Sequence, residues 1–434
     1  MAKLAINGGE KVRSEVFPPY IVIGKEEQDA VAEVFQSHIY SRFIGAWHED
    51  FYGGPQVRQL EEEWAEHFGV KHAVSVNSAT SGLYCAAGAA GIGPGDEVIV
   101  SPYTMSASAV APLIFNAVPV FADVERDYFC IDADSVEARI TDRTKAIIAV
   151  DIMGQSYDAD RINAIAKKHN LTVIEDCAQA PGAKFRKKWA GTLADIGVYS
   201  LNYHKHIHTG EGSLVVTDDD ELAERIRLIR NHAESVVAAK RTANLINMVG
   251  FNMRMTEIES AMAREQLKKL DGLVAQRLEN IAYLSEKLAQ VPCLKPAAVR
   301  PNATHVYYQH VLTFNAEVAG VHRDKFVEAV KAELPPIKLR ETEGIKIGCG
   351  YVKPIYLQPM FQQRIAYGSK GCPWSCGFYK GSISYDKGIC PVVEDLHFNT
   401  LINHELMRPG MTQKDLDDTA AAFVKVWDNR GELK

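Results

Sequence analysis

The sequence predicts an α/β protein, with a mostly parallel sheet sandwiched by helices, followed by a smaller α+β unit. Three features predict it. Between residues 72 and 218 the chain carries a series of short apolar runs of strand length. Stretches with helical spacing separate most of them, and strand alternating with helix calls for a parallel sheet buried on both faces. Beyond residue 291 the pattern gives way to shorter segments that hold most of the prolines.

Taken in order, 25–38 places Ala30, Val31, Val34 and Phe35 on one helical face. A Gly-containing loop over 51–55 leads to a second amphipathic helix, 57–69, which Gly69 ends at a C-cap position. The buried strands are 72–76, 97–101, 119–124, 145–153, 171–177, 195–201 and 212–218, with helices over 81–91, 106–116 and 158–170. The stretch between Cys177 and Tyr199 is longer and rich in Gly and Lys, so simple alternation is interrupted there. Helices resume at 218–233 and 256–291. The second run is too long for one ordinary helix, and Gly272 near its middle marks a kink or a subdomain boundary. Of the rest, 305–314 alternates as a strand, 324–334 and 414–427 are helical, and 351–390 is loop. The expected division is a large domain over 1–272, with the N-terminal helical segment, and a small domain over 273–434.

The chain has 434 residues, 47% hydrophobic and 24% charged, which excludes disorder, collagen-like repeats and a disulfide miniprotein. The net charge of −7, with no basic stripe, argues against a nucleic-acid partner. No segment approaches the ~20 apolar residues of a membrane span, and the N-terminus lacks the apolar core of a signal peptide. The eight cysteines, at 85, 130, 177, 293, 349, 372, 376 and 390, are dilute and read as reduced thiols. These features together predict a cytoplasmic protein.

Open α/β sheets bind ligands beyond the carboxyl ends of their strands, so the strand exits hold the candidate chemistry. The first strand runs into NSATSGL, where Ser78, Ala79 and Thr80 open a helix; they could hold a phosphate or simply cap the helix. The strand 171–177 ends in Glu175 and Asp176, with Gln179 three residues beyond; an acid there is a cap, a salt bridge or a cleft-facing group. The third exit delivers Ser200 and then Lys205, flanked by His204, His206 and His208, before a TGEG turn. A lysine between two buried strands is a nucleophile candidate. The alternating histidines raise a metal reading, but no local Cys or carboxylate cluster supports it, and no metal is expected. A phosphate nest, a strand-end acid and a buried lysine together are the parts of a pyridoxal phosphate site.

On these motifs the sequence resembles the DegT/DnrJ/EryC1/StrS group of sugar aminotransferases, a fold-type I pyridoxal phosphate family. The resemblance rests on GGP…LE (53–61), NSATSGL (77–83), GIGPGDEVIVSPYT (91–104), PVFADVE (119–125), VIEDCAQAPGA (173–183), YSLNYHKHIHTGEG (199–212), GFNMRMTEIESAMAREQL (250–267) and PGMT (409–412), in that order. It implies that Lys205 is the imine-forming lysine and Asp176 the partner of the ring nitrogen. Gln179 would sit by the ring hydroxyl, and Ser78, Ala79, Thr80 and Ser200 would hold the phosphate. Asn252 matches an asparagine that reaches the phosphate from the neighbouring subunit, which implies a homodimer with shared active sites; its other reading is an N-cap to the helix near Thr256. Met105 stands where relatives often carry an aromatic residue stacked on the cofactor, and a thioether also packs against a ring.

The resemblance implies transfer of an amino group from glutamate or glutamine to a keto sugar, nucleotide-linked or else a keto-cyclitol, in ping-pong order. Tyr203, His204, His206, His208, Arg254 and His404 are candidates for the acceptor, each with a structural role as its alternative. Relatives that replace the lysine by histidine are dehydratases; here the lysine is present. An iron–sulfur-assisted deoxygenase using Cys349, Cys372, Cys376 and Cys390, and a non-catalytic regulator, are the competing readings.

Overall fold

The structure, a computed structural model, describes residues 3–433. Nine strands come first: β1 (His72–Val76), β2 (Glu97–Val100), β3 (Val118–Phe121), β4 (Thr144–Val150), β5 (Thr172–Asp176), β6 (Lys184–Phe185), β7 (Lys188–Trp189), β8 (Ile196–Ser200) and β9 (Ser213–Thr217). Seven of them form one sheet in the order β1-β9-β8-β5-β4-β2-β3. The pairs from β3 through to β8 are parallel, and β9 runs antiparallel to both its neighbours. The interruption expected between Cys177 and Tyr199 is the small antiparallel hairpin β6–β7.

The central strands carry continuous apolar runs, not alternation, because both faces are covered. Val98, Ile99 and Val100 of β2 and Ile147 and Ile148 of β4 are fully buried. Each such side chain contributes about 1.5–3 kcal/mol when removed from water. The helix Ala79–Ala89 seats directly on the sheet because it carries Gly82. A Cβ at that position would stand 2.8 Å from Val198 Cγ1 and 3.1 Å from Ser213 Oγ, so any larger residue would lift the helix off β8 and β9.

A second, antiparallel sheet has the order β10 (Leu294–Pro296), β11 (His310–Phe314), β13 (Leu401–His404), β12 (Ile347–Cys349). Its core joins Leu312, Phe326 and Phe423 to Leu4 and Phe17, so the chain's beginning packs with its end. Of the strand expected over 305–314, only the second half is regular.

The long helix corrects one expectation. Glu257–Leu288 runs unbroken for 32 residues through Gly272, started by a capping box between Thr256 and Glu259. A lone glycine costs a helix about 1 kcal/mol. Leu267, Leu270 and Val274 bury against Trp64, Tyr199 and Leu201, while Ile281, Leu284 and Leu288 bury in the second core, and this outweighs the glycine. The 272/273 boundary falls inside this helix.

The segment 351–396 also packs elsewhere than its position in the chain suggests. The rings of Tyr356, Phe361 and Tyr385 stand 5.7, 5.4 and 5.6 Å from Phe121 at the end of β3. Tyr379 Oη donates to Glu97 at 2.9 Å, and the N–H groups of Val392 and Val393 donate to Asp123. Residues 273–434 thus contribute to both cores. Within this segment Cys372 and Cys376 are joined by a disulfide, which corrects the expectation of eight reduced thiols. The turn between them brings their Cα atoms to 5.4 Å. Among the described residues, no helix is long and apolar enough to cross a membrane.

Candidate active site

The carboxyl ends of the parallel strands open into a cleft of about 380 Å3. Residues distant in sequence converge there. Ser78, Ala79 and Thr80 come from the exit of β1, Asp176 and Gln179 from β5, and Ser200 and Lys205 from β8. Met105 stands on the rim, 60% exposed.

Ser78 is the N-cap of the helix Ala79–Ala89, its Oγ accepting from Ser81 N–H at 3.1 Å. Capping and anion binding are therefore compatible: the N–H groups of the first turn have no intrahelical partners and point at the cleft, as a phosphate requires. Ser81 in turn donates to Asn77 at 2.6 Å.

Alternation along β5 sends its two carboxylates to opposite faces. Glu175 points into the protein and accepts from the N–H groups of Gly191 (2.6 Å) and Leu193 (2.8 Å). It is structural. Asp176, 5% exposed, faces the cleft. Its partners are Ser108 Oγ at 2.7 Å and Ala178 N–H at 3.2 Å. Burial raises its pKa, opposed by the Ser108 bond, the Ala178 N–H and the charge of Lys205. A carboxyl buried among neutral donors at the floor of a cleft is the environment in which a protonated ring nitrogen finds a strong, desolvated partner. Gln179 is fixed at both ends, accepting from Met153 N–H at 2.8 Å and donating to Tyr351 Oη at 3.0 Å.

Lys205 stands in the loop between β8 and β9. Its Nζ lies 4.4 Å over the ring of Tyr308. Asn202 organises the neighbourhood: it donates to Glu211 at 3.0 Å and its Oδ1 meets His204 Nδ1 at 3.0 Å. Burial, with the charges of Arg340 and Arg408, pushes His204 down to about 4, so its ring is neutral at pH 7. His204 lines the cleft and Tyr203 lies outside it, its ring tilted by 37° against that of His204 with the centroids 3.6 Å apart.

The remaining acceptor candidates are placed elsewhere. His206 is fully buried, its Nε2 at 2.9 Å from the Val306 carbonyl. His208 is held by its backbone N–H on Gln266 and does not line the cleft. The alternation that raised a metal reading thus points its rings in different directions. Arg254 donates to Asn252 at 2.7 Å and to Asn231 at 3.4 Å, on the outer surface. Asn252 is exposed and does not cap the following helix; Thr256 does. The cysteines of the cluster reading are likewise apart, with Cys372 and Cys376 bonded to each other and Cys390 buried near Phe121.

His404 belongs to the second core, where its Nε2 meets His310 Nδ1 at 2.8 Å across β11 and β13. Burial holds both rings neutral, pushing His310 down to about 4 and His404 well below its ordinary value. In the unfolded chain both would take up a proton near pH ~6.5. The folded state binds fewer protons, so stability is full above about pH 6.5 and is lost as pH falls toward about 4. The urea midpoint should therefore drop between pH ~7.5 and ~5, and replacing both histidines by glutamine should reduce that slope, the rest coming from other buried histidines such as His206 and His305. A midpoint that does not move over this range contradicts the reading.

Sequence reasoning missed three groups. Ser108 lies one helical turn beyond Thr104, whose hydroxyl it meets at 3.1 Å; that spacing is its only local signal. Tyr308 and Tyr351 come from irregular segments of the C-terminal half and carried no signal at all. Tyr351 is seated by its own N–H donating to Tyr103 Oη at 2.8 Å.

The donor set fits pyridoxal phosphate: a helix N-terminus for the phosphate, a buried carboxylate for the ring nitrogen and a lysine on the same cleft. A model of the DegT/DnrJ/EryC1/StrS aminotransferase family matches residues 23–389. The chain belongs to this aminotransferase family. As a DegT/DnrJ/EryC1/StrS member it is a pyridoxal phosphate-dependent aminotransferase. It is similar to the spore coat polysaccharide biosynthesis protein SpsC of Bacillus subtilis strain 168, with 35% identity over 94% of this chain and 96% of the relative. It is also similar to the L-glutamine:2-deoxy-scyllo-inosose aminotransferase of Streptomyces lividus, with 32% identity over 99% of both chains. Among solved structures, DesI in the presence of its TDP-sugar product superposes with a TM-score of 0.80 at 26% identity, covering 99% of this chain and 97% of that one.

Proposed function

We infer that this aminotransferase moves an amino group from glutamate or glutamine to the keto group of a nucleotide-linked sugar. The observation that carries the reading is the meeting of Lys205, Asp176 and the first turn of the helix Ala79–Ala89 on one cleft at the strand ends. Pyridoxal phosphate, when bound, supplies the aldehyde that takes up the amino group and a ring that withdraws electrons from the reacting carbon. Lys205 Nζ would hold the cofactor and, as a free amine, would move a proton at the donor's α-carbon. Asp176 would keep a negative charge at the ring nitrogen, and the N–H groups after Ser78, with the Ser200 hydroxyl, would hold the phosphate. The donor's keto acid leaves before the acceptor enters, so the reaction runs in two halves. The large unit around the seven-stranded sheet carries the cofactor and the antiparallel unit closes the cleft.

The working unit in this reading is a homodimer. Asn252 and Arg254 face outward, beside a run in which Leu245, Ile246 and Val249 are 60, 58 and 69% exposed. Apolar exposure of this kind on one loop suits a covered surface. In such a dimer Asn252 reaches the partner's phosphate, and Arg254 supplies a cation for a carboxylate or diphosphate. That supply matters because Lys205 is the only lysine or arginine among the described residues that line the cleft.

The same observation favours a second acceptor, an uncharged keto-cyclitol, which needs no cation; the likeness to the inosose aminotransferase points the same way. Adding glutamate or glutamine to the purified enzyme should shift absorbance from about 420 nm to about 330 nm. Keto sugars and keto-cyclitols, added in turn to that amino form, should restore the first band with one class only. No shift with any amino acid would sink the reading.

A further inference from the structure

Tyr308 lies in the cleft, yet the assignment above gives it no role. Its ring is nearly buried and faces Lys205, with Nζ 4.4 Å from the ring centroid. That is within the ~6 Å at which an ammonium is attracted to an aromatic face.

The backbone that presents this ring is built against its own preferences. Tyr307, one residue before, has φ of +49°, in the left-handed region that a bulky side chain avoids. Such strain persists only where the surroundings hold it, and it gathers at functional sites. Three separate elements hold it here. Gly154 lets the segment approach, since a Cβ there would stand 2.7 Å from the backbone nitrogens of both Tyr307 and Tyr308. Arg277, fully buried in the long helix, donates through Nη1 to the carbonyls of Tyr307 (2.9 Å) and Tyr308 (3.3 Å). Its Nε and Nη2 have no partner, so it is a costly residue to bury for packing alone. The third element is His206, next to Lys205 in sequence, whose ring nitrogen meets the carbonyl of Val306. The loop that carries the lysine and the segment that carries the tyrosine are therefore clamped to each other.

We propose that Tyr308 is the positioning residue for Lys205: its ring face receives the ammonium and fixes where Nζ stands whenever the lysine is not bonded to the cofactor. Lysine has a flexible four-carbon stem and would otherwise sample many positions in a cleft this open. The ring face narrows that range to one place in the cleft. The phenolic hydroxyl is not needed for this; the face is.

The proposal rests on Lys205 as the cofactor-bonding lysine, and the test separates the two. Three full-length variants, Tyr308→Phe, Tyr308→Leu and Tyr308→Met, are compared with wild type; methionine fills the space without an aromatic face if leucine does not fold. Two rates are read: uptake of pyridoxal phosphate by enzyme stripped of cofactor, and the single-turnover reaction with glutamate over a range of concentrations. Leu and Met should slow both rates about five- to tenfold, as loss of a cation–π contact predicts, with little change in the glutamate concentration giving half-maximal rate. Phe should stay within about twofold of wild type, as the face is kept. Leu and Met variants with wild-type rates overturn the proposal, as does a Phe variant as slow as Leu. Borohydride trapping followed by peptide mapping tests the underlying reading independently: cofactor found on a residue other than Lys205 would remove the assignment itself, whatever the Tyr308 variants do.

Discussion

Lys205→Ala is expected to lower turnover by about 10^4-fold or more, at the upper end of what a single acid–base group contributes, because it also removes the covalent attachment. The fold should survive. Lys205 lies in a loop at the cleft, and the loop is held by contacts that do not involve its side chain. Its backbone N–H donates to Asn202, the carbonyls of His204 and His206 accept from Arg408 and from Tyr20, and the His206 ring meets Val306. The melting temperature should therefore change by less than a loss of core packing would produce, and circular dichroism checks this. Turnover within tenfold of wild type in a folded variant would take Lys205 out of its role.

Asp176→Asn should be the second largest effect. The substitution keeps the shape of the side chain: the amide oxygen can still accept from the Ala178 N–H, and the Ser108 hydroxyl can turn to accept from the NH2 group that replaces the second carboxylate oxygen. What it removes is the charge. Breaking a buried charged pair by deleting one partner costs about 3–5 kcal/mol, so kcat should fall by roughly 10^2 to 10^4-fold. Cofactor retention should suffer less, since the phosphate cradle and Lys205 remain. The measurement is kcat alongside cofactor content after dialysis. Cofactor lost in step with activity would mean that Asp176 serves binding alone, and an active Asn variant would mean that the ring nitrogen has no need of the charge.

Much of this site could be read along the chain because fold-type I chemistry sits at strand ends. A strand end is a local feature: an apolar run stops, and the residues that follow are small, acidic or basic. Ser78, Asp176, Gln179, Ser200 and Lys205 were legible for that reason, and the structure gathers all five on one cleft. The histidines were misleading because proximity to Lys205 in sequence says nothing about which way a ring turns. His204 turns into the cleft, His206 into the core, and His404 pairs with His310 in a different sheet. The small sheet was largely invisible, since strands of three or four residues such as Leu294–Pro296 and Ile347–Cys349 are too short to show a period. The unbroken helix through Gly272 was missed because its support comes from two cores that the sequence does not reveal to be adjacent.

By itself the sequence determined the α/β alternation, the order of the strand-end motifs, the membership in an aminotransferase family and the lysine we propose as the cofactor's anchor. Each depends on residues within a few positions of one another, where spacing and residue type carry the physics. Only the tertiary structure decided that Ser108 holds the cleft-facing carboxylate, and that Tyr308 and Tyr351 come from the far half of the chain to complete the wall. Those decisions depend on packing between segments separated by 68 residues in the case of Ser108 and Asp176, and by 172 in the case of Gln179 and Tyr351. Burial in two cores fixes such approaches, and no local pattern in the chain encodes them.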